Sequence, residues 1–392
     1  RYPNAFATTP LCCPARATIF SGLYAHNHGV FTNQGDLEFD QRYTLQRYLD
    51  DAGYKTALVG KYFNNWPTAK NPAHFDKWAL FAGGYYGHDY NVNGQMKHIP
   101  AYSTNYIKRK AKDFLKRFEN SDDDDPWLLY IATYAPHALF IPEDKYVGKE
   151  IPRWNGNPAV FESDRNDKPR YVQIRDETYK TWKKKRRNQL RTLFSVDDLV
   201  AGLRRSLGRM NESRSTLAFY LSDNGYMWAD HGLYDKGAPY TQSIQIPMFA
   251  RWPGHLGPDH SDRRLVGNVD IAATVLDAAD VDPAPGHPLD GRSLLDESWD
   301  RQRMLTEYRN SGNVWTPPTW GSLRTRSLQY TEYFDQEGNR EFREYYDLKS
   351  DPWQLRNLLR DGDKSNNPPR SELTALSAQL SSDRNCKASA CP

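Results

Sequence analysis

Two short apolar segments, each followed directly by polar residues, constrain the fold of this chain most strongly. Residues 127–132 and 217–221 have the length and composition of buried β-strands, so the polar residues after them are expected at the carboxyl edge of a sheet. Between them lies a stretch whose apolar residues recur at three- and four-residue spacings, as on one face of a helix: Val196, Leu199, Val200, Leu203 and Leu207. This order predicts an α/β fold with a mostly parallel central sheet flanked by helices.

The length of 392 residues allows one large domain and one smaller domain. A further helix is indicated near Ile271 to Ala279, and the proline-rich stretch 283–288 then interrupts regular structure. We therefore predict a large domain of residues 1–297 and a small C-terminal α+β domain of residues 298–392.

The small domain is expected to contain an antiparallel sheet. Residues 323–334 and 340–348 alternate aromatic and polar side chains around the turn-like residues 336–339, which predicts a hairpin. Residues 155–180 are polar with little periodicity and predict an irregular surface segment.

Net charge and hydropathy argue against nucleic acid and membrane as partners. The formal net charge is only +3, which argues against a nucleic-acid-binding protein, and no apolar segment is long enough to span a membrane. The basic run 183–187 is either a solvated helix start, which we favour, or a site for a polyanion, namely a glycan or even nucleic acid.

The four cysteines fall into two pairs. Cys386 and Cys391 near the C-terminus can close a small disulfide loop, which would fit an oxidising compartment, or can remain free thiols. Cys12 and Cys13 are adjacent, and the simplest interpretation of both is a pair of buried, reduced side chains.

The segment around Cys12 carries a more specific pattern. Cys12, Pro14 and Arg16 form Cys-x-Pro-x-Arg, and Gly22 follows after five more residues. This pattern resembles the modification signature of the formylglycine-dependent sulfatases, which belong to the alkaline phosphatase superfamily, and further matches extend from about Ala5 to Leu358.

The resemblance implies a specific chemistry at Cys12. In the family a maturation enzyme oxidises this cysteine to formylglycine, and one hydroxyl of the hydrated aldehyde attacks sulfur while the other later expels sulfate. A geminal diol suits this task because its sulfate ester can collapse back to the aldehyde. Only Cys12, and not Cys13, has the required proline and arginine offsets.

The resemblance also assigns roles to several polar residues. Lys61, in Gly-Lys-Tyr, and Lys236, in Asp-Lys-Gly, match lysines that contact the sulfate, and Arg16 matches an arginine that steadies the formylglycine hydrate. His137 follows the first predicted strand and matches a substrate-contacting histidine suited to protonating the leaving alcohol. His231 is expected to line the same pocket.

The metal ligands are expected after the second predicted strand. Ser222-Asp223-Asn224-Gly225 is a good turn sequence by itself, but it matches the family's metal-binding segment. The resemblance implies that Asp223, Asn224 and the modified Cys12 hold calcium, with magnesium as the alternative.

The sequence also departs from the family pattern. The two consecutive aspartates that ligate the metal upstream of the cysteine motif are absent, so a fragment or a truncated gene model is expected, and Phe63 stands where many members have histidine. The segment Lys61-Tyr62-Phe63-Asn64, with His26-Asn27-His28, looks most like the branch of glucosamine-6-sulfatases and heparan endosulfatases.

These observations predict a hydrolase of sulfate esters that acts on a sulfated sugar or aryl sulfate. The alternatives are a phosphonate or phosphate monoester hydrolase of the same superfamily and a non-catalytic protein that binds sulfated glycans. A single glycosylation sequon, at Asn211, favours a secreted or periplasmic protein over a lysosomal one.

Overall fold

A computed structural model describes residues 1–34, 39–119, 125–310 and 316–392. The described helices, in chain order, are α1 Cys12–Ser21, α2 Ala25–His28, α3 Leu45–Asp51, α4 Ser103–Glu119, α5 Arg170–Gln173, α6 Tyr179–Arg209, α7 Thr241–Ile244, α8 Asp270–Ala278 and α9 Arg370–Asp383. The described strands are β1 Ala5–Phe6, β2 Lys55–Lys61, β3 Lys77–Phe81, β4 His88–Val92, β5 Gln95–Ile99, β6 Trp127–Ala132, β7 Ala218–Leu221, β8 Met227–Trp228, β9 Tyr234–Asp235, β10 Met248–Arg251, β11 Val266–Gly267, β12 Met304–Tyr308, β13 Thr319–Arg324, β14 Leu328–Phe334 and β15 Arg340–Asp347.

The central sheet has the strand order β5-β4-β3-β2-β6. Strand β2 is parallel to both of its neighbours, β3 and β6, while β4 and β5 form an antiparallel edge. Side chains of β2 and β3 alternate between the faces, so Leu58 and Leu80 meet α1 while Val59 and Phe81 face α4 and α6. Helices thus cover both faces, and the predicted α/β class is confirmed.

The predicted helices are present, one of them longer than expected. The apolar stretch from Val196 to Leu207 lies within α6, which has 31 residues and begins at Tyr179, near the end of the segment predicted to be irregular. The helix predicted around Ile271 is α8.

The strand predicted at residues 217–221 exists, but its expected parallel pairing is wrong. Strand β7 pairs antiparallel with β10, with Leu221 opposite Met248. Tyr220 and Phe249 are 42% and 47% exposed, so these strands are not buried on both faces. A short apolar run alone does not reveal the direction of its partner.

The C-terminal part contains the predicted antiparallel sheet, in the order β12-β13-β14-β15, covered in part by α9. The hairpin of β14 and β15 is confirmed, but the single strand predicted over 323–334 is wrong. The chain reverses there because Thr325 Oγ1 accepts hydrogen bonds from the backbone N–H groups of Ser327 and Leu328. The boundary at residue 298 stays a prediction.

Two further expectations concern the chain as a whole. Cys386 and Cys391 form a disulfide, which is one of the two alternatives that the sequence left open. In the described ranges, no helix combines the length and the apolar character that crossing a membrane requires.

Candidate active site

Cys12 occupies the first turn of α1, whose ten residues are all buried. Leu11 precedes the helix in an extended conformation and gives no side-chain cap. The N-terminal N–H groups and the helix dipole favour negative charge at this position. Cys12 itself is 1% exposed.

Lys236 is the cation that contacts Cys12 directly. It follows the short strand β9, and its Nζ lies 2.9 Å from Cys12 Sγ. Burial alone would raise the pKa of the thiol, but Lys236, a hydrogen bond from His137 and the charge of Lys61 bring the pKa of Cys12 down to about 6, against the opposing charge of Asp223. The environment therefore stabilises an anion at this atom.

Lys61 ends β2 and brings a second cation to the same group. Gly60 precedes it with φ +109°, and a Cβ there would lie 2.0 Å from the carbonyl oxygen of Ala132, so only glycine permits this approach to β6. Lys61 is 4% exposed, and among the described residues its Nζ has no hydrogen-bond or ion-pair partner. Burial lowers the pKa of Lys61, and the charges of Cys12 and Asp223 offset this effect only in part.

His137 lies in the loop after β6, at the edge of the sheet where it was predicted. Its carbonyl accepts a hydrogen bond of 2.7 Å from Tyr85 Oη, and its ring packs against Tyr134 with centroids 4.8 Å apart. The Nδ1 atom is buried and has no partner in the described part of the chain. The ring is thus held firmly while one nitrogen stays available.

Arg16 connects α1 to the ends of two strands. Its Nε lies 3.0 Å from Asp223 Oδ2, and Nη1 donates to the carbonyls of Lys61 and Tyr62. Burial opposes the charge of Asp223, but Arg16, Lys236 and Lys61 together lower the pKa of its carboxyl. The structure therefore places Arg16 as a residue that positions Asp223 and the end of β2.

Asp223 and Asn224 follow β7 and fit a hard divalent cation. Asn224 is buried, and its amide nitrogen donates to the Gly225 carbonyl at 2.8 Å, whereas Oδ1 is buried without a partner among the described residues. A buried amide oxygen beside an ionised carboxylate is the donor set that calcium or magnesium prefers. The same segment also makes the turn, since Ser222 Oγ donates to the carbonyl of Asn224.

His231 sits in a separate polar cluster. It is fully buried, its Nδ1 lies 2.8 Å from Glu162 Oε2, and its ring packs on Tyr240 at 4.2 Å. Glu162 is also within 3.3 Å of Lys168 Nζ. The predicted pocket-lining role stays a prediction, because none of these contacts involves Cys12.

Sequence reasoning missed the residues that support His137. Gln189, on α6, donates from Nε2 to the Pro136 carbonyl at 3.1 Å and accepts at Oε1 from Trp228 Nε1 at 2.6 Å. Tyr85 and Tyr134 complete this support. These residues come from distant segments without a shared pattern, so no sequence signal identifies them.

The basic run 183–187 lies on α6, near its first residue, as predicted. Four of its five side chains are exposed, whereas Arg186 is partly buried between two tryptophans. The run therefore lies near the start of α6 with its side chains in solvent, except for the partly buried Arg186.

Comparison with known proteins defines the class. The family model described as Sulfatase matches residues 1–281, and the model described as N-sulphoglucosamine sulphohydrolase, C-terminal, matches residues 229–380. The chain belongs to the sulfatase family, which confirms the resemblance seen in its motifs.

Individual relatives refine this placement. The chain is 30% identical to the human N-acetylglucosamine-6-sulfatase over 431 residues, covering 92% of this chain and 75% of the relative. It is 31% identical over 320 residues to a putative extracellular sulfatase Sulf-1 homolog of Caenorhabditis elegans, covering 75% of this chain. The matched part spans only 44% of that relative's length.

Solved structures show the same fold. BT4656, solved in complex with its substrate D-glucosamine-2-N,6-O-disulfate, superposes with a TM-score of 0.83 at 22% identity, covering 97% of this chain and 89% of that chain. A phosphonate monoester hydrolase of Agrobacterium radiobacter superposes with a TM-score of 0.72 at 20% identity, covering 97% and 88%.

Proposed function

We propose that this protein hydrolyses sulfate esters of amino sugars, with a formylglycine derived from Cys12 as its nucleophile. The observation that carries the proposal is the convergence of Lys236, Lys61 and His137 on Cys12, the cysteine of the family motif. The amino-sugar class is supported by relatives that are named N-acetylglucosamine-6-sulfatases.

The surroundings of Cys12 fit the modification. Formylglycine supplies a hydrated aldehyde whose hydroxyl is the nucleophile. The Sγ atom marks where such an oxygen would lie, with Lys236 Nζ already at hydrogen-bond distance. Burial of Cys12 limits competing water, which strengthens the attraction between these charges.

The lysines bind the sulfate in this scheme. Lys61 has a buried ammonium without an anionic partner in the described residues, and a sulfate oxygen would provide one. Lys236 would contact both the nucleophile and the transferring group. Such preorganised charges stabilise the negative charge that develops in the transition state.

His137 is the proton donor to the departing sugar oxygen. Its Nδ1, which has no partner among the described residues, and its fixed ring satisfy the requirement that a general acid be oriented and have one nitrogen open to the substrate. Arg16 and His231 act less directly, Arg16 through Asp223 and His231 as a member of the neighbouring buried cluster.

Asp223, Asn224 and the modified Cys12 would hold the metal, which we propose to be calcium, with magnesium as the alternative. When bound, the cation supplies electrostatic anchoring for the sulfate. The buried Asn224 Oδ1, which has no partner in the part of the chain that the structure describes, supports this assignment.

We further propose a formylglycine-generating enzyme as the maturation partner. We also propose that the protein is secreted, since two relatives are named extracellular sulfatases and a disulfide is present.

The test compares nitrophenyl sulfate, nitrophenyl phosphate and N-acetylglucosamine 6-sulfate as substrates of protein with confirmed formylglycine. We expect turnover of both sulfates and a loss of at least about 10²-fold in Lys236→Met. Lys184→Met, an exposed lysine of α6, is the matched control and should retain full activity. A preference for the phosphate ester, or binding of sulfate without any hydrolysis, would overturn the proposal in favour of one of the alternatives.

A further inference from the structure

Arg186 differs from the other basic residues at the start of α6. Lys183, Lys184, Lys185 and Arg187 are exposed, whereas Arg186 is partly buried. Its Nε is buried without a hydrogen-bond partner, and its guanidinium makes no ion pair with any residue that the structure describes. A partly buried charge without a counter-ion is costly unless a ligand pairs with it.

Two tryptophans hold this guanidinium in place. The Arg186 Cζ atom lies 5.0 Å from the ring centroid of Trp154 and 4.8 Å from that of Trp228. The two rings are themselves 6.2 Å apart and inclined by 68°. Cation–π contacts of this kind stabilise the charge without using up the N–H donors. The side chain is therefore oriented while its hydrogen-bonding capacity stays free.

The nearby carboxylate does not neutralise Arg186. Asp230 acts on Arg186 electrostatically, but its Oδ1 accepts a hydrogen bond of 2.7 Å from Asn157 and its Oδ2 one of 2.8 Å from the Trp228 backbone. Each oxygen therefore accepts a hydrogen bond from a neutral donor, and Asp230 makes no ion pair with Arg186. The guanidinium is thus left able to pair with an anion from outside the protein.

The link between Arg186 and the candidate site runs through hydrogen bonds. Trp228 donates to Gln189, and Gln189 donates to the carbonyl of Pro136, the residue before His137. This chain ties Trp228, which packs on Arg186, to the loop that carries His137, the residue that would protonate the leaving sugar oxygen. A ligand group paired with Arg186 would then lie on the part of the substrate beyond the scissile sulfate.

We propose that Arg186, Trp154 and Trp228 form a second anion-binding subsite, which takes a carboxylate or sulfate on the sugar unit next to the one that loses its sulfate. The inference rests on the proposed function and narrows its substrate class to acidic sulfated oligosaccharides. A planar guanidinium can bind either group through two parallel hydrogen bonds, and the aromatic rings offer surfaces to the sugar.

The kinetic test uses Arg186→Met, which keeps the aliphatic stem and removes the charge. Its KM for a sulfated glucosamine–hexuronate disaccharide should rise about tenfold, with kcat and nitrophenyl sulfate turnover unchanged. Arg186→Lys should recover part of the loss, and Lys184→Met, on the same helix, should show none. A disaccharide with its carboxylate reduced to an alcohol tells whether the carboxylate or a second sulfate is the bound group.

An unchanged KM for the disaccharide, or an equal loss on nitrophenyl sulfate, would overturn the subsite. Calorimetric binding to a Cys12→Ala background separates this result from a failure of the proposed function. If no sulfate ester is hydrolysed but the disaccharide binds about tenfold more weakly to Arg186→Met, the subsite stands and the catalytic proposal fails. Equal binding by both proteins overturns the subsite.

Discussion

Lys236 Nζ lies 2.9 Å from Cys12 Sγ, although the two residues are 224 positions apart in the chain. The two groups shift each other's pKa. Burial opposes the charge on Lys236, but Cys12 and Asp223 overcome this effect and raise the pKa of Lys236. Lys236 in turn helps to lower the pKa of the Cys12 thiol. The pair thus keeps an ammonium and an anionic position adjacent in a buried site. These charged surroundings differ from the apolar environment in which a structural cysteine is usually buried.

The first prediction concerns the modification. We expect Cys12 to be formylglycine in active protein, while Cys13 stays a thiol that accepts a hydrogen bond from the Asn64 backbone at 3.2 Å. Cys12→Ala should lower activity by at least about 10³-fold. Cys13→Ala should keep the modification. Peptide mass spectrometry checks both, and active protein with unmodified Cys12 would contradict the assignment.

The second prediction separates proton donation from binding at His137. His137→Ala should slow an alkyl sulfate by about 10²-fold but nitrophenyl sulfate far less, because an activated leaving group needs little protonation. The control is His98→Ala, because His98 is an exposed histidine. Equal losses in kcat for both substrates would assign His137 a binding role instead.

Much of the site was predictable because its residues follow strands or lie in a contiguous motif. Cys12 and Arg16 share one helix, and His137 and Asp223 follow β6 and β7, where polar residues reach the sheet edge. The roles assigned to them came from family resemblance, since periodicity alone says nothing about sulfate.

Other features could not be predicted because they depend on contacts between distant segments. The support of His137 by Gln189 joins α6 to the loop after β6, and the antiparallel pairing of β7 with β10 depends on how the chain between them returns. Residues 217–221 look the same in either pairing. The break between β13 and β14 arises from one threonine hydroxyl, Thr325, in a stretch rich in strand-forming residues.

The third prediction concerns acid stability. Burial, followed by the charge of His26, lowers the pKa of His28 to about 3. Its Nδ1 accepts a hydrogen bond from the Val30 backbone, so the folded state requires this nitrogen unprotonated. The pKa of His28 is lower in the folded state than its unfolded value of about 6.5. The stability that the neutral His28 contributes is therefore fully present above pH 6.5 and is lost as the pH falls toward about 3.

At pH 5 the free energy of unfolding should be lower than at pH 7 by about 1 to 2 kcal/mol from His28 alone, allowing for its partial exposure. Urea unfolding of the wild type and of His28→Gln at both pH values isolates the contribution of His28 to this loss of stability. If the glutamine variant loses as much stability as the wild type on acidification, His28 is not the group responsible.

The last prediction tests the metal through stability, independently of turnover. Asn224→Leu removes a buried amide oxygen that has no partner in the described residues, but it also removes the hydrogen bond from Nδ2 to the Gly225 carbonyl, so without calcium the variant should lose about 1 kcal/mol of stability. Calcium at about 100 times its dissociation constant should stabilise the wild type by about 2.7 kcal/mol and the variant much less.

The control is Asn91→Leu, because Asn91 is also buried but its Oδ1 already accepts hydrogen bonds from Trp78 Nε1 and the Gly94 backbone. This variant should lose stability equally with and without calcium. Thermal unfolding is measured in EDTA, in calcium and in magnesium. The loss of stability should depend on the ion only for the variant that removes a metal ligand. If calcium stabilises Asn224→Leu as much as the wild type, Asn224 is not a ligand, and its Oδ1 is only a buried acceptor in the turn.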